Sequence, residues 1–173
     1  MGLAYRVGQF WRLLAASPLA VEAQLVVTAV LNPTQQQLFA RFTPGDQWHS
    51  YQVLRTLEEA GHTHPDLQVA ALLHDIGKTQ ARLTLWGRTL IVLTQHFFSA
   101  QLAVWGQGTA QGWKRPFVIK AQHPAWGADM AAAAGCSPLA VSLIRRHQDV
   151  VPETAVSEED TLLRLLQWAD DQN

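Results

Sequence analysis

The feature that most constrains this chain is a recurring pair, a polar residue followed directly by proline, placed between apolar stretches. A Ser, Thr or Asn side chain caps the start of a helix, and proline suits the first helical position because its missing N–H has no partner there. Such pairs lie at residues 17–18, 32–33, 43–44 and 137–138, and Pro65 and His123-Pro124 fit the same interpretation. The pattern predicts a chain divided into helices.

Within these segments the apolar residues recur at intervals of three and four, which indicates helices that each bury one face. Only Leu90–Leu93 and Phe117–Ile119 resemble strands, and both are short. We therefore predict an all-α fold of about eight helices. The length of 173 residues favours a single domain over residues 1–173. We expect its core at about residues 45–173, with N-terminal helices of residues 1–44 packed on it.

Charge and cysteine content exclude several classes of protein. Thirteen basic and fourteen acidic residues give a formal charge of −1, so no global field attracts nucleic acid, and no stable nucleic-acid binding is expected. Cys136 is the single cysteine, which excludes an intramolecular disulfide and a Cys-rich zinc site and agrees with a reducing compartment. No signal peptide and no transmembrane segment are predicted, so we expect a cytoplasmic protein.

The charges are distributed unevenly along the chain. Residues 76–128 contain no acidic residue and six basic ones: Lys78, Arg82, Arg88, Lys114, Arg115 and Lys120. Two interpretations stay open for this segment: a solvated basic face, or a basic wall beside a site for an anion.

Histidines and aspartates lie at or near the predicted ends of several helices. They are His49, His74, Asp75, His123, His147 and Asp170. We expect His49 in the first turn of a helix over residues 45–60, and His123 at the N-cap of a helix that begins at Pro124. About 25 residues separate several of them, which is the length of one helix and its connection. Successive ligands can therefore lie at the same height in a helical bundle. Imidazole and carboxylate ligands without thiolate suit Fe, Mn, Zn, Co or Ni.

His74 and Asp75 form an adjacent pair directly after the apolar run Val69–Leu73, at the predicted end of a helix near Ile76. A carboxylate beside so apolar a stretch is costly unless it is paired or bound to a metal. At a helix end both side chains can serve one ion, and the two oxygens of Asp75 can bridge two ions.

The run Leu72–Lys78, with His49 before it and Asp170 after it, resembles the HD-domain superfamily of metal-dependent phosphohydrolases, in its HDIG type. The resemblance implies an HD-domain-like helical bundle and covers about residues 47–170. It identifies His49, His74, Asp75 and Asp170 as metal ligands. His123 and His147 are similar to the two further histidines of the bimetallic members. The members that hydrolyse cyclic dinucleotides carry a Gly-Tyr-Pro motif after the second of these histidines. This chain has Gln-Asp-Val-Val-Pro there, at residues 148–152, so the resemblance does not extend to that activity.

The resemblance, with the number of ligands, predicts two divalent transition-metal ions bridged by Asp75. Asp171 competes with Asp170 for the last ligand position, and neighbouring residues on a helix diverge by about 100°. The apolar face that includes Leu166 and Ala169 turns Asp170 toward the bundle, so we predict Asp170 as the ligand.

The implied activity is hydrolysis of a phosphoester in a nucleotide or other small phosphate compound by a metal-bound hydroxide. Asp75 and Lys78 are the predicted catalytic residues, and Lys78, Arg145 and Arg146 the predicted substrate contacts. Lys78 can equally complement a helix dipole, and the two arginines can equally be surface residues.

Two other functions stay open. The same pocket could belong to a non-catalytic, metal-stabilised module that binds a nucleotide. A di-iron oxygenase is the weaker alternative, because Lys78 and the basic segment favour an anionic substrate.

Overall fold

A computed structural model of the chain describes residues 18–81, 104–152 and 156–173, with the single residues Gly87, Leu90, Thr94 and Thr154. This part is all-helical and contains no strand. Its α-helices are α1 Val21–Val30, α2 Pro33–Phe39, α3 Pro44–Glu59, α4 Pro65–Leu73, α5 Arg115–Ala133, α6 Pro138–Arg146 and α7 Glu158–Gln172. Short 3₁₀ helices cover Ile76–Gln80 and Gly112–Lys114. The all-α prediction is confirmed.

Most helices begin where the polar-proline pairs predict. The side chains of Asn32, Thr43 and Ser137 each accept a hydrogen bond from the backbone N–H three residues later, which satisfies a donor that the helix leaves without a partner. Ser157, which is followed by Glu158 rather than proline, caps α7 in the same way. The first pair is an exception. Helix α1 begins at Val21, three residues after Pro18, and Ser17 lies outside the described residues.

Helix α4 is the centre of the fold. Its residues Leu67 and Ala70–Leu73 are fully buried, because α1, α3, α6 and α7 all pack against it. A short helix that is apolar nearly all round is stable only in such an environment. Leu19, Ala23 and Val27, at the start of the described chain, belong to the same hydrophobic core. The division into a single domain stays a prediction.

Three predictions about helix positions are wrong. Helix α4 ends at Leu73 rather than near Ile76, because Asp75 leaves the helical conformation (φ −95°, ψ 3°) and starts a 3₁₀ helix. His49 lies in the second turn of α3, not the first.

The third wrong prediction is the start of α5. Pro124 lies inside this helix, nine residues after Arg115, so His123 is not an N-cap. The apolar residues Phe117–Ile119, predicted as a strand candidate, are helical and buried. Their burial stabilises the turns before the proline and carries the helix through it. The other strand candidate, Leu90–Leu93, lies largely outside the described residues.

In the described part of the chain, no helix combines the length and the hydropathy needed to cross a membrane. The cytoplasmic location stays a prediction.

Candidate metal centre

The centre is built around the end of α4, where the chain leaves its most buried helix. His74 is the C-cap of α4, and its side chain is fully buried. Its Nδ1 lies 3.0 Å from the carbonyl of Ala71, one of the carbonyls that the end of a helix leaves available. The opposite nitrogen, Nε2, is buried and has no hydrogen-bond partner among the described residues.

A first cluster forms where α3 and α7 meet this helix end. It consists of His49, His74 and Asp170, whose ligand atoms all lie within 4.8 Å of one another. Asp170 Oδ1 is 2.9 Å from His49 Nε2 and 3.5 Å from His74 Nε2. The carboxylate of Asp170 thus lies beside both histidines, and its role as the ligand in place of Asp171 stays a prediction.

A second cluster lies deeper and consists of Asp75, His123 and His147, also within 4.8 Å of one another. His147 is the C-cap of α6, as expected, and its Nε2 lies 3.2 Å from His123 Nε2. Asp75 Oδ1 is 3.4 Å from His123 Nε2 and 3.7 Å from His147 Nε2. All three side chains are almost completely buried.

Asp75 stands between the two clusters, with one oxygen turned to each. While Oδ1 faces the second cluster, Oδ2 lies 3.6 Å from His74 Nε2 and 4.0 Å from His49 Nε2. Lys78, one turn further along the 3₁₀ helix, forms an ion pair with Oδ2. A single buried carboxylate thus touches both groups of histidines.

The three inner histidines are oriented in the same way. His74 Nδ1 faces the Ala71 carbonyl, His123 Nδ1 those of Ile119 and Lys120, and His147 Nδ1 that of Ile144, at 2.7–3.0 Å. A carbonyl oxygen only accepts, so each Nδ1 carries a proton, and a neutral ring held in this way has its lone pair on Nε2. Metal-ligating histidines are held in this manner.

The charges in the centre are strongly perturbed. Burial lowers the pKa of His74, but the carboxylates of Asp75 and Asp170 outweigh it and raise that pKa to about 9. Burial raises the pKa of Asp75, yet the positive charges of Lys78 and His74 hold it well below its usual range. For His147, burial and the charge of His74 lower the pKa to about 3, so this ring is neutral. The two carboxylates therefore demand positive charge here, which His74 supplies as a bound proton.

This arrangement fits a metal. In the second cluster, Asp75 Oδ1 and the Nε2 atom of neutral His147 both present lone pairs to one small space beside His123 Nε2. Acceptors this close are stable only with a cation or a proton between them. The orphaned Nε2 of His74 makes the same demand in the first cluster. Nitrogen and oxygen donors without sulfur suit divalent transition metals.

Two glycines allow the second cluster to approach Asp75. A Cβ atom at Gly77 would stand 1.9 Å from the His123 carbonyl oxygen and 2.7 Å from the Gly127 nitrogen. A Cβ at Gly127 would lie 3.1 Å from the Gly77 nitrogen. The 3₁₀ helix and α5 are therefore in backbone contact beside the site, which no other residue at position 77 permits.

The predicted substrate contacts differ in their surroundings. Lys78 is half-buried at the centre, beside Asp75. Arg145 is exposed and pairs with Asp129 at 2.7 Å. Arg146 pairs with Glu159 and with Asp160 at the start of α7. The two arginines connect surface elements in this structure, and their substrate role stays a prediction.

Gln167 and Gln148 were not recognised from the sequence. Gln167 Nε2 donates to the carbonyls of His147 (3.1 Å) and Asp149 (2.8 Å) and so fixes the end of α6 on α7. Gln167 could have been identified from the sequence, because it lies one helical turn before Asp170 and therefore on the same face of α7. Gln148 is exposed, and its amide nitrogen lies 3.5 Å from His123 Nε2. An exposed glutamine has no such signal.

Comparison with protein-family models gives a match. The family model described as "HD domain" matches residues 48–171, well over half of the chain. No curated protein and no solved structure matches it. The matched segment begins one residue before His49 and ends one residue after Asp170, so it contains both clusters.

Proposed function

Because this chain belongs to the HD domain family, we propose that it is a metal-dependent phosphohydrolase acting on a phosphoester of a nucleotide or other small phosphate compound. One observation carries the proposal: the two oxygens of Asp75 face two separate histidine clusters, at 3.6 Å from His74 Nε2 and 3.4 Å from His123 Nε2. A carboxylate shared in this way is the arrangement that two-metal hydrolytic sites need.

The metal ligands in this proposal are His49, His74 and Asp170 on one side of Asp75 and His123 and His147 on the other. Divalent ions bound there supply Lewis acidity toward phosphate oxygens and lower the pKa of a water molecule. Asp75 holds the two sides at a fixed separation, and the backbone carbonyls hold the Nε2 atoms of His74, His123 and His147 toward the centre. These residues therefore arrange the site before a substrate arrives.

Lys78 is the proposed phosphate contact of the chain itself. Its ammonium group lies at the edge of the centre, on the Asp75 oxygen that faces the more exposed cluster. Asp75 raises the pKa of Lys78 against the opposing effect of burial, so the group stays positively charged. A positive charge here stabilises the negative charge that develops on a phosphate during hydrolysis. Arg145 and Arg146 are proposed as outer contacts for larger substrates.

The test combines metal analysis with a panel of phosphate esters. The purified protein is stripped with chelator, reloaded separately with Mn²⁺, Zn²⁺, Fe²⁺, Co²⁺ or Ni²⁺, and assayed for phosphate release from nucleotides and phosphomonoesters. We expect about two ions per chain and hydrolysis that requires them. The His62→Ala protein, changed in the loop before α4, should behave as the wild type.

Two results would contradict the proposal. Metal binding without hydrolysis of any ester would favour the alternative of a regulatory module that binds a nucleotide. Failure to bind any of the five ions would exclude the centre itself.

A further inference from the structure

The position of Pro124 in the middle of α5 calls for an explanation, because proline is strongly disfavoured inside a helix. It lacks the N–H that bonds to the carbonyl four residues earlier, and its ring crowds that carbonyl. Helix α5 nevertheless runs from Arg115 to Ala133 with Pro124 near its centre. The residue directly before the proline is His123, a member of the second cluster.

The carbonyl that Pro124 cannot bond is that of Lys120. This is one of the two carbonyls that accept a hydrogen bond from the His123 ring: Nδ1 lies 2.9 Å from the Lys120 oxygen and 3.0 Å from the Ile119 oxygen. In a regular helix, the N–H of residue 124 would donate to the Lys120 carbonyl. With proline there, that bond is absent by chemistry, and the imidazole N–H takes its place.

The other two inner histidines need no such device. His74 and His147 are C-caps of α4 and α6, and the last carbonyls of any helix are available to a nearby donor. His123 lies in a helix interior, where every carbonyl normally receives a backbone N–H. A proline directly after it means that the Lys120 carbonyl, inside a continuous helix, receives no N–H from residue 124 and instead accepts from the His123 ring.

We propose that Pro124 is a positioning residue that holds His123 with its proton on Nδ1 and its Nε2 lone pair directed at the second cluster. The inference rests on the metal centre of the proposed function but not on hydrolysis. It makes an unusual prediction: a substitution that favours the helix should weaken the second metal position.

The experiment uses Pro124→Ala in the full chain. The restored N–H competes for the Lys120 carbonyl, so the proton of His123 should shift from Nδ1 toward Nε2. Long-range ¹H–¹⁵N NMR of the metal-free protein reports this tautomer directly. Affinity for the second ion, measured by titration with Zn²⁺ alone, should fall about 10- to 100-fold, the usual effect of losing the group that orients a ligand. The melting temperature should stay the same or rise.

Two further variants separate this effect from stability. Pro124→Gly restores the same N–H in a residue that disfavours helices, so it should weaken the second ion equally while lowering the melting temperature. Pro138→Ala changes a proline at the first position of α6, where the missing N–H has no helical partner, and should leave both the tautomer and metal binding unchanged.

The proposal is overturned if Pro124→Ala keeps the wild-type tautomer of His123 and binds two ions with wild-type affinity. It is also overturned if metal binding follows the melting temperature across the three variants. A wild-type protein that binds no metal would defeat the proposed function instead, and the NMR measurement on the metal-free protein would still decide the role of Pro124.

Discussion

The two clusters on either side of Asp75 use similar ligands in different surroundings. In the first cluster the His49 side chain is 17% exposed and that of Asp170 35%. In the second, His123 and His147 are 1% and 2% exposed. The first cluster is therefore the side of the centre that is open to solvent. The second is enclosed by α5 and α6.

The difference shows how the exposure of each cluster affects the number of charged ligands that it contains. The exposed cluster carries a second carboxylate, Asp170, because solvent lowers the cost of a charge there. The enclosed cluster contains neutral His147 and shares its only carboxylate, Asp75, with the other side. An incorrectly oriented buried imidazole leaves a lone pair without a partner, so the buried rings of both clusters, His74, His123 and His147, are each held by a backbone carbonyl. Five substitutions, in four experiments, test this comparison.

The largest effect is expected from Asp75→Ala, because Asp75 is the one residue in the described part of the chain whose carboxylate faces both clusters. Both metal positions should weaken together and hydrolysis should be abolished, since a carboxylate that faces both clusters is lost. Metal content by mass spectrometry and initial rates measure this. Loss of ion from only one cluster would show that Asp75 does not bridge.

His123→Ala and His147→Ala should affect the enclosed cluster alone. Each should reduce metal from about two ions per chain to about one and abolish hydrolysis while the fold is retained, because the first cluster keeps all its ligands. Metal analysis with circular dichroism checks this, with His62→Ala as the matched histidine control. Two ions retained in both variants would contradict the assignment of the second cluster.

Asp170→Ala should affect the exposed cluster alone. Asp170 Oδ1 lies 2.9 Å from His49 Nε2, so its removal should weaken the first ion and lower hydrolysis by about 100-fold. Asp171→Ala is the matched control on the next position of α7 and should retain metal and activity. If only Asp171→Ala loses metal, the assignment of Asp170 is wrong.

The smallest effect is expected from Lys78→Ala. A lost charge contact to a substrate phosphate should raise KM or lower kcat by about tenfold, with metal content and melting temperature nearly unchanged. Lys114→Ala, an exposed lysine near the indole of Trp113, is the control and should leave the kinetics unaffected. A large loss of stability in Lys78→Ala with unchanged kinetics in the folded fraction would assign Lys78 to the fold instead.

Much of this centre could be predicted from the sequence, because its ligands lie next to apolar runs and apolar helix faces that the sequence shows directly. The His74-Asp75 pair follows a buried apolar run, and the face of α7 that contains Leu166 and Ala169 turns Asp170 inward. Both signals are local: they depend on the periodicity of one helix. The predicted N-cap position of His123 failed because the sequence cannot show that packing of the turns before Pro124 keeps them helical.

The partners of Arg146 were also beyond prediction. Its pairing with Glu159 and Asp160 depends on how α6 and α7 lie against each other, and the three residues are separated by a connecting segment. The contact between Gly77 and Gly127 is of the same kind. A glycine inside a helix usually lowers the stability of the helix slightly. The sequence alone does not show that two backbones cross at these glycines and that a side chain would prevent it.

That crossing has a mechanical consequence. Side chains change rotamer readily, but two peptide chains in direct contact cannot be compressed further, and each is stiffened by its own helical bonds. Asp75 lies two residues before Gly77, and His123 four residues before Gly127, so the contact works as a fixed spacer between the carboxylate and the enclosed histidine. Thermal motion of the surrounding side chains leaves this spacing unchanged, and a methyl group at position 77 lengthens it permanently. The distance between Asp75 and His123 is thus determined by a main-chain contact between two residues that carry no side chain.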